Sequence, residues 1–252
     1  MIKITIRPLI LLVSLLIFSC GKEDPQDENI TLSQTAIEID YEETFRLDAT
    51  FIRDGYSPSG FTWESDNPNI AAVRNDGTVT GQRVGTTLVT VYTPDRLFSA
   101  VCEVTVNPTN FLYLEPLFDF GQNRAYIRAN ETRTFLDENE TSLLFRGENE
   151  NIFGVIYAFD ETLYEASVAL LNLETEDEVI NLIAFLEQRY ELLGFDGEFL
   201  IFENEDILLG VSEDEDGYFV VYLQNDDASG TGSRIDKLQK ISRNKLMINR
   251  QR

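Results

Sequence analysis

Hydrophobic patterning divides the chain in two near Asn107-Pro108-Thr109. Ahead of that point apolar residues alternate with polar ones over short stretches. The clearest are Phe45, Leu47, Ala49 and Phe51, then Thr87, Val89 and Val91, then Ala100, Cys102, Val104 and Val106. A period of two is the signature of a half-buried strand. Turn signals separate the stretches at Asp54-Gly55, Asn67-Pro68-Asn69, Asn75-Asp76-Gly77 and Thr93-Pro94-Asp95. Short strands at this spacing predict a β-sandwich over 29–107. Cys102 falls on an apolar strand face, where it is expected as a small buried hydrophobe rather than a reactive thiol.

Beyond Thr109 the period changes. Val179, Leu182, Ile183, Leu186 and Tyr190 form one stripe at helical spacing, which predicts a helix over Glu176–Leu193. Thr175 is suited to the N-cap, Glu178 completes a capping box, and Gly194 suits the residue after the helix. The acidic run Glu176-Asp177-Glu178 then serves the helix's positive end rather than a metal. Strands are expected at Phe153–Phe159, Tyr164–Leu173, Glu198–Glu203, Ile207–Ser212 and Tyr218–Leu223. Hairpin turns join them at Asp160-Glu161-Thr162, Asn204-Glu205-Asp206 and Glu215-Asp216-Gly217. Upstream lie a strand at Phe111–Leu117, a weaker helix near Gln122–Asn130, and strands near Thr134–Leu136 and Ser142–Phe145. Helix followed by antiparallel strands thus occurs twice. The expectation for 110–225 is an α+β domain, an antiparallel sheet with helices on one face, in two weakly similar halves. Residues 226–252 are expected to be a flexible basic tail. An alternative is a short amphipathic helix using Ile235, Leu238 and Ile241, lying on a membrane or on the acidic body.

Charge sharpens this picture. The chain has 252 residues, 20 Lys+Arg, 44 Asp+Glu and no His, for a net −24. Residues 1–19 carry +2 and residues 234–252 carry +6, leaving −32 on 20–233. Such acidity opposes nucleic-acid binding, which needs a basic surface. The missing His removes Ser-His-Asp and Cys-His catalysis and His-ligated zinc. No Lys occurs between Glu23 and Ser233, which removes Schiff-base chemistry, Ser-Lys dyads and a P-loop. Paired carboxylates remain available to a hydrolase, but acids are too abundant for pairs to be informative, and about 115 residues is small for a glycosidase. Ser212–Gly217 has a faint likeness to a calcium loop. Position 12 is Leu223, where a bidentate Glu is needed, so a hairpin is expected there. No catalytic residue, metal or cofactor is expected.

The first residues read as an address. Lys3 and Arg7 precede the apolar run Pro8–Phe18, which is too short to span a bilayer. Leu16-Ile17-Phe18-Ser19-Cys20-Gly21 resembles a bacterial lipobox. The resemblance implies a signal peptide over 1–19 and lipidation of Cys20, a stable membrane anchor. The acidic tether 20–28 begins Lys22-Glu23-Asp24, which resembles the surface-export signal of Bacteroidota lipoproteins. With Cys20 lipidated, Cys102 has no disulfide partner.

The first module resembles the group 2 bacterial Ig-like (BIg2) domain. The resemblance rests on Ile30-Thr31-Leu32, Phe61–Pro68 with Trp63, Ile70–Val73, Asp76–Gly81, Val84-Gly85-Thr86 and Cys102–Val106. It implies an all-β Ig-like sandwich with Trp63 and Cys102 in its core, and a spacer or adhesion module without catalytic residues. Tyr41-Glu42-Glu43-Thr44 departs from the family, which usually has a Gly near Glu42. In the second module, Leu114–Gly121 looks like the opening of uncharacterised lipoprotein domains of Bacteroidota, which implies no activity.

The expected protein is therefore a non-enzymatic outer-membrane surface lipoprotein whose Ig-like spacer presents a C-terminal binding domain. Its partners are the membrane, through Cys20, and a glycan, host protein or partner subunit, with no nucleic acid. The alternative is a periplasm-facing accessory or inhibitor protein that binds an enzyme; a carboxylate-based hydrolase ranks third.

Overall fold

The computed structural model of the chain describes residues 30–52, 60–225 and 236–242. The first domain contains β1 (Ile30–Leu32), β2 (Ala36–Asp40), β3 (Thr44–Arg46), β4 (Ala49–Phe51), β5 (Thr62–Ser65), β6 (Ala71–Val73), β7 (Thr78–Gly81), β8 (Gly85–Tyr92) and β9 (Ser99–Asn107). One sheet has the order β2-β9-β8-β5, with β2 and β9 parallel; a second has the order β3-β7-β6, and β1 pairs with β4. The inward residues of both sheets share one core, including Ile39, Trp63, Val79, Val91, Cys102 and Val104. The alternating run from Phe45 to Phe51 is two strands rather than one. At buried Leu47 the chain leaves its pairing with β7, and β4 pairs with β1 instead. The Leu47 N–H bonds to Gly77 O at 2.9 Å across this break. Gly77 sits at φ +82°, and a Cβ there would meet Leu47 O at 2.3 Å and the Trp63 ring at 3.0 Å, so only glycine fits. The expected turn at Asp54-Gly55 lies outside the described residues.

The second domain is one eight-stranded antiparallel sheet. Its elements are α1 (Arg124–Asn130), β10 (Phe135–Glu138), β11 (Ser142–Arg146), β12 (Ile152–Asp160), β13 (Leu163–Leu171), α2 (Glu176–Glu187), β14 (Glu191–Phe195), β15 (Leu200–Glu203), β16 (Ile207–Asp214) and β17 (Gly217–Gln224). The strand order is β10-β11-β12-β13-β17-β16-β15-β14. Each half is a helix followed by a four-stranded meander running from the sheet's edge to its centre. The last strands of the two halves pair, from Ala166 opposite Leu223 to Leu170 opposite Phe219. These central strands are apolar almost without a break because both their faces are covered. One face packs Tyr157, Ala169, Val220 and Tyr222 against Ile127 of α1 and Leu182, Phe185 and Leu186 of α2.

Four expectations are corrected. First, the tail is not flexible throughout. Residues 236–242 form a third helix, α3, on the opposite face of the sheet. Leu238 and Ile241 are buried there with Phe199, Ile201, Leu208 and Val221, and Lys237 pairs with Glu165 at 3.3 Å. Helices thus cover both faces, because the second apolar face also needs a lid. Residues 226–235 and 243–252 lie outside the described residues.

Second, α2 stops at Glu187, and Glu191–Phe195 is the edge strand β14. Gly194, at φ +135°, lies at the bulge in that strand rather than beyond a helix. Third, Phe111–Leu117 joins no sheet. Side chains satisfy its backbone instead: Leu114 N–H donates to Glu148 at 2.6 Å and Leu117 N–H to the Tyr157 hydroxyl at 2.9 Å, and Leu112 O accepts from Asn149 and Asn151. Fourth, Tyr164–Leu173 is shorter than expected, as β13 ends at Leu171. The hairpin at Asp214–Gly217 joins two strands, which is not the helix-flanked geometry of a calcium loop.

Candidate functional site

Three adjoining cavities, of about 410, 530 and 360 Å³, follow one end of the eight-stranded sheet where it meets the Ig-like domain. The first two share Val84, Arg189, Asn204, Asp206 and Asn225. The first and third share Phe120 and Gln224. Together they form one long cleft of mixed polar and apolar lining, and both domains contribute walls.

The floor is set by α2's exit. With the helix ended at Gln188, Arg189 points its guanidinium back over the Phe185 ring at 3.9 Å. It donates to Phe185 O at 2.7 Å and Asn110 O at 3.0 Å, and pairs with Glu115 at 3.2 Å. The other Glu115 oxygen accepts from the Tyr190 hydroxyl at 2.7 Å. Burial pushes the Glu115 carboxyl above its ordinary range, and Tyr190 and Arg189 draw it part of the way back. With both oxygens engaged, Glu115 is a strut beneath the cleft. Burial likewise raises the Tyr190 hydroxyl far beyond its usual value.

The rim comes from the turn between β15 and β16. Asn204 Oδ1 accepts from Asp206 N–H at 3.0 Å and Ile207 N–H at 2.8 Å, the local geometry of an Asx turn. Asn225 locks the turn from β17's end, donating through Nδ2 to Asn204 O at 2.6 Å and through N–H to Asp206 O at 2.7 Å. Beside it Phe120 stacks on Tyr164, with ring centres 4.8 Å apart and planes at 17°.

The Ig-like wall is fastened by polar contacts. Asn67 donates to Glu205 at 2.7 Å, Arg83 pairs with Glu191 at 3.4 Å, and Val84 N–H donates to Gln188 O at 2.7 Å. The Gln188 side chain holds the interdomain linker, accepting from Thr109 and Asn110 N–H and donating to the Thr109 hydroxyl.

A second buried network lies at the first half's helix exit. Arg133 pairs with Glu131 at 2.9 Å and with Glu148 at 2.6 Å, and donates to Leu114 O; Tyr157 donates to Glu131. The two exit arginines, Arg133 and Arg189, thus pin the 110–117 segment by its carbonyls from both sides.

The cleft is not visible in the sequence: the expected helix takes in Arg189 and Tyr190, and Asn204-Glu205-Asp206 reads only as a turn. Phe118 and Phe120, in a stretch with no regular period, were the available signal. Of the residues singled out from the sequence, Trp63 and Cys102 are both in the sandwich core. Burial pushes the Cys102 thiol up to about 11, which keeps it protonated. Cys20, Lys22, Glu23 and Asp24 lie outside the described residues. Among the described residues no group of three or more Cys, Asp or Glu side chains is placed to hold a metal ion.

This is an Ig-like sandwich followed by an α+β domain, with a cleft at their junction. Residues 28–104 match the family model of the bacterial Ig-like domain (group 2). An uncharacterised protein of Clostridium acetobutylicum is 34% identical over 92 residues, which is 36% of this chain and 10% of that protein. The chain therefore spans about a tenth of that relative's length. Among solved structures, a surface layer protein SbsC fragment (domains 4–9) is similar at 12% identity and a TM-score of 0.29, over 80% of this chain and 27% of that one. A mutant of intimin from EHEC O157:H7 is similar at 15% identity and a TM-score of 0.26, over 43% and 61% of the two chains. A SusE-like surface-located polysaccharide-binding protein from Bacteroides thetaiotaomicron is similar at 10% identity and a TM-score of 0.22, over 77% and 33%. Scores this low carry no function across.

Proposed function

We propose that the protein is a non-enzymatic lipoprotein of the outer membrane, anchored through Cys20 and displayed at the cell surface, whose Ig-like domain presents the α+β domain to a ligand. The observation that supports this most is the fixed seat of one domain on the other. Gln188 takes both the linker and the Val84 N–H, while Asn67 and Arg83 add side-chain contacts. A stalk held in this way presents its partner in one orientation, which reduces the ordering cost of binding. The absence of His from the sequence and of Lys from 24–233 supports a binding role over catalysis. Lys22, Glu23 and Asp24 supply the routing to the surface.

Two measurements test this. Wild-type chain expressed in a Bacteroidota host should take up labelled palmitate, and Cys20→Ala should not. Proteinase added to intact cells should remove the wild-type protein and spare a variant with Lys22, Glu23 and Asp24 changed to Ala. Labelling that survives the loss of Cys20 would overturn the anchor. Protection of the wild type would place it at the periplasmic face instead.

A further inference from the structure

We propose that the junction cleft is an extended binding site for a neutral oligosaccharide, with the Ig-like domain supplying one of its walls. This rests on the binding-protein reading above and deepens it by naming the site and its ligand chemistry.

Shape is the first support. The three adjoining cavities follow the sheet's end, from Asn69 on the Ig-like wall past Asp206 and Gln224 to the β12–β13 hairpin. Ligand sites are concave and carry a few convergent polar groups. A cleft built as successive cavities suits a chain of similar units better than one compact molecule.

Lining chemistry is the second. Asn69 and Gln224 offer planar amides that both donate and accept, which matches hydroxyl groups that do the same, while Asn204 and Asn225 are bonded within the turn that holds the rim. Phe120, stacked on Tyr164 and near-parallel to Phe118 with ring centres 6.3 Å apart, adds an apolar wall shared by two of the cavities. Such a ring can pack against the C–H face of a sugar.

Charge is the third, and it separates ligand classes. Four acids of the cleft already have partners within it: Glu115 has Arg189 and Tyr190, Glu191 has Arg83, Glu205 has Asn67, and Glu165 has Lys237. At these acids a cationic ligand would have to displace the donors, although Asp160, Glu161 and Asp206 also line the cleft. The −32 carried by residues 20–233 opposes an anionic ligand over a longer range. A neutral polyhydroxylated ligand meets neither obstacle.

Calorimetric titration of the mature chain with maltohexaose, cellohexaose, xylohexaose and mannohexaose tests the proposal, with hexalysine as the cationic comparison. At least one neutral hexasaccharide should bind, and its affinity should be the same in low and high salt, since no ion pair forms. Gln224→Ala, at the exposed end of β17, and Phe120→Ala should each weaken binding about tenfold. Leu136→Ala on the far edge strand should leave it unchanged. Hexasaccharide binding that neither cleft variant affects would overturn the site while leaving the binding-protein reading intact. Salt-sensitive binding of hexalysine alone would overturn the ligand class. Binding of none of the five probes would overturn the proposal, and the palmitate and shaving results would still decide the anchor and its face separately.

Discussion

Gln188 grips Thr109 at two points: its Oε1 accepts from the Thr109 N–H, and its Nε2 donates to the Thr109 hydroxyl, both at 2.9 Å. The same Oε1 accepts from Asn110 N–H at 3.1 Å, and Gln188's own carbonyl accepts from Val84 of the Ig-like domain. One residue at the end of α2 therefore fixes both the linker and the neighbouring domain. Gln188→Ala would leave two linker N–H groups without this acceptor. The expected cost is about 1–3 kcal/mol in the second domain's urea unfolding. Small-angle scattering should also show a broader spread of interdomain distances, while the Ig-like domain unfolds at its wild-type midpoint.

Arg133 is a costly side chain to remove from the second domain. It and Glu131 each expose only 2% of their side chains, and Arg133 also pairs with Glu148 and holds Leu114 O. Arg133→Met would strand Glu131 as a buried carboxylate without its cation, at an expected cost of about 3–5 kcal/mol. The double variant Glu131→Gln, Arg133→Met removes both charges and should recover part of that loss. Thermal denaturation of the two variants measures the difference.

The same network sets an acid limit. Burial alone would raise the Glu148 carboxyl, but the Leu114 N–H and the Arg133 guanidinium outweigh it and hold the group below its ordinary 4.5. A carboxylate depressed by folding contributes stability that is present above its unfolded value and lost as pH falls through its folded value. Glu115 has the opposite sign: its raised value gives a contribution present below the unfolded value and lost as pH rises through the folded one. Urea midpoints followed from neutral pH downward should therefore fall less steeply in Glu148→Gln than in the wild type.

Local signals were legible in the sequence and distant convergence was not. The capping box at Thr175 and Glu178 involves neighbours three residues apart, and Thr175 accepts from Glu178 N–H just as the spacing implies. The period-two runs at Thr87–Val91 and Ala100–Val106 likewise fall in β8 and β9, whereas in the run from Phe45 to Phe51 Leu47 turns inward and the chain changes partner. The end of α2 was hidden because Leu192 and Leu193 prolong an apolar pattern. What stops the helix is tertiary: Gln188 bonds to Thr109, 79 residues away, and Tyr190 to Glu115. The cleft has the same cause, since Glu115, Arg189, Asn204 and Gln224 come from four separate elements. Phe111–Leu117 has the composition of a strand, yet its backbone is satisfied by side chains that no local pattern reveals.

Glu42 is a strained position that the sequence already marked. It lies in the Tyr41–Thr44 stretch, where the family it resembles usually has a Gly nearby, at φ +65° in the turn closed by Glu43 N–H to Asp40 O at 3.0 Å. A positive φ at the third residue is the geometry of a type II turn, which favours glycine. Left-handed backbone costs a residue with a Cβ roughly 1–2 kcal/mol. Against that, glycine loses more entropy on folding. Glu42→Gly should therefore give a net gain of about 0.5–1 kcal/mol, read as a higher melting temperature of the Ig-like domain.

The third helix makes a prediction about the tail that charge alone would miss. Basic residues dominate 234–252, yet what α3 contributes to the fold is apolar: Leu238 is fully buried and Ile241 nearly so, over Phe199, Ile201, Leu208 and Val221. Gly210 gives Leu238 its seat, since a Cβ there would lie 3.1 Å from the leucine's methyl group and 2.7 Å from the Phe199 ring. Leu238→Ala removes buried methyl groups and leaves a cavity, at an expected cost of about 2–5 kcal/mol in the second domain. Lys237→Ala breaks only the half-exposed pair with Glu165 and should cost less than about 1 kcal/mol. If the two variants lower the urea midpoint equally, the helix is held by charge rather than packing. Truncation after Asn225 should bare the whole apolar face, giving a second domain that binds a hydrophobic dye and aggregates on warming while the Ig-like domain keeps its melting temperature.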